Sequence, residues 1–177
     1  MLAATRKGGR TPDLRWFHPA PAERYHELRG AGGKVASIRW AREQGTLATG
    51  EWGSRVWSFK RFGFFHPKIT IRRSGSEANL GRFEPNMTGG GVLHLAGGVD
   101  FRLVGNFWRG EWRWVDPAGH DLLEFKRDFS VVERNEGHLT WVSDEVDEER
   151  FQLLALFGWY VVIMLADDAA HAPALPV

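Results

Sequence analysis

The chain has 177 residues, 23 Lys and Arg against 22 Asp and Glu, and no cysteine. That length makes one domain with a core of its own, and the missing cysteines exclude disulfides, thiolate metal sites and thiol nucleophiles. Nine Trp, twelve Phe and 21 Gly point to many short aromatic strands joined by tight turns.

Residues 1–23 show no periodicity. Gly8, Gly9, Pro12, Pro19 and Pro21 predict a flexible arm, with Trp16 and Phe17 docking only weakly on the body. On this reading, removal of residues 1–20 is nearly neutral for stability. Residues 1–34 hold seven basic and three acidic groups, so the arm is basic and the remainder slightly acidic. Charge and glycine break the start before an apolar run develops, so no secretory leader is expected.

From Arg24 onward, short alternating runs are separated by turn residues. In chain order the predicted strands are 24–28, 34–42, 46–50, 55–62, 68–73, 79–84, 92–96, 101–104, 111–115, 122–126, 130–133 and 139–142. Alternation sorts the faces. Ile38 and Trp40 oppose Arg39; Ile69 and Ile71 oppose Arg72; Phe101 and Leu103 oppose Arg102; Trp112 and Trp114 oppose Arg113. One face is apolar and the other carries arginine. A sheet of about twelve strands curls or closes, because open edges pair and aggregate. The segments 69–83 and 112–125 echo one another as strand, glycine turn and strand ending in Phe.

After the strands comes Ser143-Asp-Glu-Val-Asp-Glu-Glu-Arg150, then the apolar run Phe151 to Ala166. A Ser or Asp cap followed by acids starts a helix, placed at about 147–168. The helix is apolar all round, so it is buried in protein or in lipid. Sixteen apolar residues make about 24 Å of helix, short of the roughly 30 Å of a bilayer core, and Asp167 and Asp168 close the run. Burial among the strands is therefore expected. Gly158 disfavours a helix interior by about 1 kcal/mol and is explained if a barrel wall packs closely there. Residues 171–177 are expected to be a flexible tail.

The fold class read from these elements is all-β: a closed or nearly closed antiparallel barrel of about twelve strands around a C-terminal hydrophobic helix. On Trp57-Ser-Phe-Lys-Arg-Phe-Gly63, Ile69-Thr-Ile-Arg-Arg73, Trp114-Val-Asp-Pro-Ala-Gly119 and Leu153-Leu-Ala-Leu-Phe-Gly-Trp-Tyr160 with Asp167-Asp168, residues 24–170 resemble the tubby C-terminal-like superfamily. That group includes the LURP-one-related proteins and the phospholipid scramblases. The resemblance implies a helix threading the barrel lumen, and basic residues on the barrel that meet phosphoinositide or other anionic lipid. It also places Asp144, Glu145, Asp147 and Glu148 where scramblases carry a calcium-linked segment, but no EF-hand loop is present. No cysteine is available for the acylation scramblases undergo.

Catalytic signatures are absent, among them the nucleophile elbow, the paired-histidine zinc motif and the phosphate loops. The seven histidines are scattered, and His120-Asp121 beside the Pro117–Gly119 turn is the compact acid–base pair. No catalytic residue, metal or cofactor is expected. Aromatics and arginines on opposite faces argue against a nucleic-acid stacking platform, and a filled lumen argues against a lipocalin-like carrier. The sequence reading is a non-enzymatic, cytoplasmic domain, peripheral at a membrane, that binds anionic phospholipid through Arg39, Lys60, Arg61, Arg72, Arg102 and Arg113. The alternative is a protein-interaction or scaffold domain with no lipid role.

Overall fold

A computed structural model describes residues 13–63, 66–129 and 135–171. Twelve antiparallel strands follow one another around a closed barrel: β1 (Leu14–Phe17), β2 (Tyr25–Gly30), β3 (Gly33–Trp40), β4 (Ala48–Trp52), β5 (Arg55–Phe62), β6 (Lys68–Arg73), β7 (Asn79–Pro85), β8 (Gly91–Leu95), β9 (Asp100–Asn106), β10 (Glu111–Val115), β11 (Asp121–Asp128) and β12 (Glu136–Trp141). One helix, α1 (Glu148–His171), closes the chain.

The alternation in the sequence decides which face turns inward. Ile38, Trp40, Trp57, Phe59, Ile69, Ile71, Phe101, Leu103, Trp112 and Trp114 are all buried, while Arg39, Lys60, Arg72, Arg102 and Arg113 between them are exposed. Register shifts fall in three hairpins spaced four strands apart, at Leu28/Arg29, Ile71/Arg72 and Trp114/Val115. Such bulges raise the local twist and help a sheet close. Two of them lie in the hairpins that echo one another in sequence.

The lumen is filled by α1. Asp147 caps it, accepting a hydrogen bond at Oδ1 from Arg150 N at 2.9 Å. Every residue from Phe151 to Met164 is buried, and rings from all round the wall meet it. Phe157 packs against Phe59 at 5.4 Å, Phe83 at 5.4 Å and Trp114 at 6.1 Å. Trp159 stacks on Trp16 at 5.5 Å, and Tyr160 on Trp40 at 5.8 Å. The polar Gln152 is satisfied, accepting from Arg55 Nη1 and donating to Glu148 Oε1, each at 2.9 Å. At 24 residues α1 is long and apolar enough by composition to cross a bilayer, and here it is mostly buried by the strands. It extends further than the sixteen-residue run alone, because the Asp167–His171 turn continues it.

Two expectations need correction. Residues 14–17 are not part of an arm: Leu14-Arg-Trp-Phe17 is β1, pairing with β12 on one side and β2 on the other and so closing the barrel. Leu14 and Trp16 point into the core and Arg15 outward, where it meets Asp128 at 3.0 Å. Four residues flanked by Pro12 and Pro19 give too short an alternation to stand out. Of the rest of the arm, residues 1–12 lie outside the described residues. The strand expected at 130–133 and the tail at 172–177 also lie outside them, and His171 belongs to α1.

Candidate functional site

The lumen has no room for a ligand, so any site lies on the outside or at the ends. The two ends differ. Connections 31–32, 53–54, 74–78, 96–99, 116–120 and 142–147 lie at the end where α1 enters. Connections 18–24, 41–47, 86–90 and 107–110 lie at the end where it exits, with the last residues of β5 and β11 and the first of β6 and β12.

The six basic residues singled out in the sequence do not gather. Arg39 meets Glu23 at 3.1 Å and lies 4.1 Å over the Tyr25 ring. Arg72 donates from Nε to Asn79 Oδ1 at 2.9 Å, and Arg113 pairs with Asp121 at 3.0 Å. Lys60 and Arg102 are exposed and have no acidic partner among the described residues. Arg39 on β3 and Arg113 on β10 are five strands apart by the shorter way round. Arg61 is out of phase with the others. It sits at the barrel mouth and grips Asp168 with both Nη atoms, at 2.6 and 2.9 Å; that hydrogen bonding raises its pKa. Arg24 meets Asp167 through Nη2 alone, its Nη1 donating to the Glu43 and Gly45 carbonyls, and burial pushes the Asp167 pKa up. These guanidinium groups offset the negative end of the helix dipole where α1 leaves the barrel.

At the entry end, His120 meets Asp116 and Glu145, rather than the adjacent Asp121. Its Nδ1 lies 3.2 Å from Asp116 Oδ2 and 3.0 Å from Glu145 Oε2, while Asp116 Oδ1 accepts from His120 N at 2.8 Å. Hydrogen bonding to Asp116 and the Glu145 charge raise the His120 pKa, and hydrogen bonds from His120 lower that of Asp116. Three possible ligand atoms here lie within 4.8 Å of one another. Asp116 is half-buried and the other two are exposed.

The exit end carries what the sequence reading missed. Five of the seven large apolar side chains exposed among the described residues sit there: Leu47, Phe62, Met87, Trp108 and Phe129. Met87 and Trp108 are the extremes, at 104% and 89% of full exposure. Both are held out by the same device. Asn86 Oδ1 accepts from Thr88 N and Gly90 N, each at 3.0 Å. Asn106 Oδ1 accepts from Arg109 N at 3.2 Å, capping a single 3-10 turn, Phe107–Arg109. Gly110 closes that turn at φ 65°, a conformation glycine adopts without strain. Trp112 Nε1, on β10 just beyond the second turn, donates to Gly89 O at 2.9 Å and ties the first loop to that strand. Between the two loops lies an open cavity of about 550 Å³, walled by Met87, Phe107 and Trp108 and floored by Leu165 and Ala169 of α1. The signal available in the sequence was a large apolar residue inside an Asn-to-Gly turn.

No family model matches the chain, and no curated protein matches it. Its fold is similar to that of a protein from Arabidopsis thaliana solved by X-ray crystallography, with a TM-score of 0.57 and 11% identity, over 83% of this chain and 88% of that one. At that identity the likeness shows the fold alone.

Proposed function

We propose that this chain is a non-catalytic, tubby-like domain of the LURP-one-related and scramblase-like kind. On this reading it is cytoplasmic and associates peripherally with anionic phospholipid. The architecture supports the family reading, since the last helix threads the lumen as the resemblance requires. A filled lumen also leaves ligand recognition to the outer surface.

The observation that carries the lipid reading is a group of exposed cations toward the helix-exit end, where Glu43, Asp167 and Asp168 are the neighbouring carboxylates. The entry end has five carboxylates between Asp144 and Glu149; Glu145 meets His120, and Asp147, Glu148 and Glu149 meet Arg150, Arg55 and Arg73. Toward the exit end, Arg42 and Lys60 are exposed with no acidic partner among the described residues, and Arg109 meets Glu111 only at 3.5 Å. A basic group near an anionic surface contributes about 1 kcal/mol, so several acting together give weak, salt-sensitive binding. Co-sedimentation with phosphatidylcholine vesicles, with and without phosphatidylserine or a phosphoinositide, tests it. Binding that needs the anionic lipid and fades with salt is expected; equal recovery in the supernatant with all vesicles overturns the reading.

A further inference from the structure

We infer that the helix-exit end of the barrel is an insertion surface, and that Met87 and Trp108 enter the interfacial layer of the bilayer to which the domain binds. This rests on the lipid reading above and specifies which surface meets the membrane, and how.

The distribution of apolar side chains carries the inference. Scattered exposed apolar residues are ordinary on a soluble protein, but a concentration of them marks an interaction surface. Leu47, Met87 and Trp108 lie in three different connections, and Phe62 and Phe129 at the ends of β5 and β11, all at one end of the barrel. Among the described residues, Val142 alone is a large exposed apolar residue at the other end. Chance placement over the two ends does not favour such a one-sided pattern. Nor are the two most exposed residues loosely held: the Asn86 and Asn106 turns keep both loops in shape through named hydrogen bonds, so presenting the side chains costs little further ordering.

Chemistry and charge select a bilayer as the occupant. Tryptophan is the side chain most at home at the boundary between headgroups and acyl chains, and methionine adapts its shape to an irregular apolar surface. Arg109 follows Trp108 directly, and Arg42 and Lys60 stand near the same end with Glu43 and Glu111 among them, so cations lie beside the apolar tips as in interfacial anchors. The carboxylate-rich entry end faces away from an anionic surface in this orientation. The open cavity between Met87 and Trp108 lies at the same end, where a lipid chain drawn toward the headgroups reaches its Leu165 floor.

Trp108 is the most exposed of the nine tryptophans, while Trp16, Trp40, Trp52, Trp57, Trp112, Trp114 and Trp159 are buried, so quenching by lipid reports on it selectively. The test uses the whole chain with phosphatidylcholine–phosphatidylserine vesicles whose acyl chains are brominated near the headgroup. Bound protein should show blue-shifted, quenched emission, and Trp108→Phe should abolish the quenching while retaining most of the binding. Met87→Ser with Trp108→Ser should weaken partitioning by about tenfold or more with little change in melting temperature, because Met87 is fully exposed and Trp108 keeps only an edge contact with Phe107. Salt-sensitive binding without quenching, or binding unaffected by the double variant, overturns insertion and leaves the lipid reading in place. No binding to any vesicle overturns both, and turns the apolar rim toward a protein partner.

Discussion

The indole nitrogen of Trp114, on β10, donates to the carbonyl of Leu154 inside α1 at 2.8 Å. That contact exists because residue 158, one turn further along the helix, is glycine. A Cβ there would lie 2.7 Å from Trp114 Nε1 and 2.4 Å from Phe125 Cζ, inside any tolerated separation. The glycine that weakens an isolated helix is thus the groove into which the wall packs. Replacing Gly158 with Ala gains about 1 kcal/mol of helix propensity but overpacks the core, which typically costs about 1–3 kcal/mol and more where rigid rings cannot move. The net effect is destabilisation, read as a lower urea midpoint; an unchanged or higher midpoint contradicts this packing.

Leu156 is fully buried in the middle of the same helix. An Asp there places an unpaired charge in the lumen, and the variant should not fold. A soluble Leu156→Asp protein with native near-ultraviolet circular dichroism contradicts the threaded arrangement.

The barrel closes through a strand of four residues. Trp16 is fully buried and lies parallel to Trp159, with an interplanar angle of 2°. Trp16→Ala should cost about 3–5 kcal/mol. Deletion through residue 17 should leave β2 and β12 as open edges, lowering the melting temperature steeply and promoting aggregation. A deletion variant that melts where the intact chain does shows that β1 is dispensable.

His26 gives the fold a pH dependence. Burial, together with the charges of His18 and Arg24, pushes its pKa down to about 3, against an opposing backbone hydrogen bond at Asn135. Its Nδ1 accepts from Trp159 Nε1 at 3.4 Å, a role open only to the unprotonated nitrogen. In the unfolded chain the ring titrates near 6.5. As pH falls below that value the unfolded state takes a proton that the native state refuses, so stability falls at up to about 1.4 kcal/mol per pH unit. His26→Gln, which keeps an acceptor without titrating, should flatten the stability profile between about pH 6.5 and 5. Parallel profiles for the two proteins contradict this assignment.

Much of the fold was legible because alternation is a local signal. Trp112-Arg-Trp114 and Ile38-Arg-Trp40 declare their inner and outer faces without any partner strand, and the run 151–166 declares a helix with no polar face. What escaped depends on partners distant in sequence. β1 is recognisable only once β12 and β2 are seen on either side of it. Asn79 and Asp121 come to Arg72 and Arg113 across paired strands, and Glu23 reaches Arg39 from the β1–β2 connection; neither spacing nor composition reveals these partners. His120 finds Glu145 because the β10–β11 turn and the loop before α1 share one end of the barrel. Arg61 was separable in principle: it directly follows Lys60 and must face the other way. Met87 and Trp108 sit in turns, where periodicity says nothing, and their importance appears only when the connections are sorted by end.

The absence of cysteine from the chain makes the orientation on lipid directly measurable. Met87→Cys and Gly97→Cys each create a unique site, at the exit and the entry end respectively, for a nitroxide label. On vesicles of phosphatidylcholine and phosphatidylserine, the label at 87 should be relaxed by oxygen dissolved in the bilayer and shielded from a water-soluble nickel chelate, while the label at 97 stays accessible to the chelate. Equal chelate accessibility at both positions in the vesicle-bound protein would contradict the account.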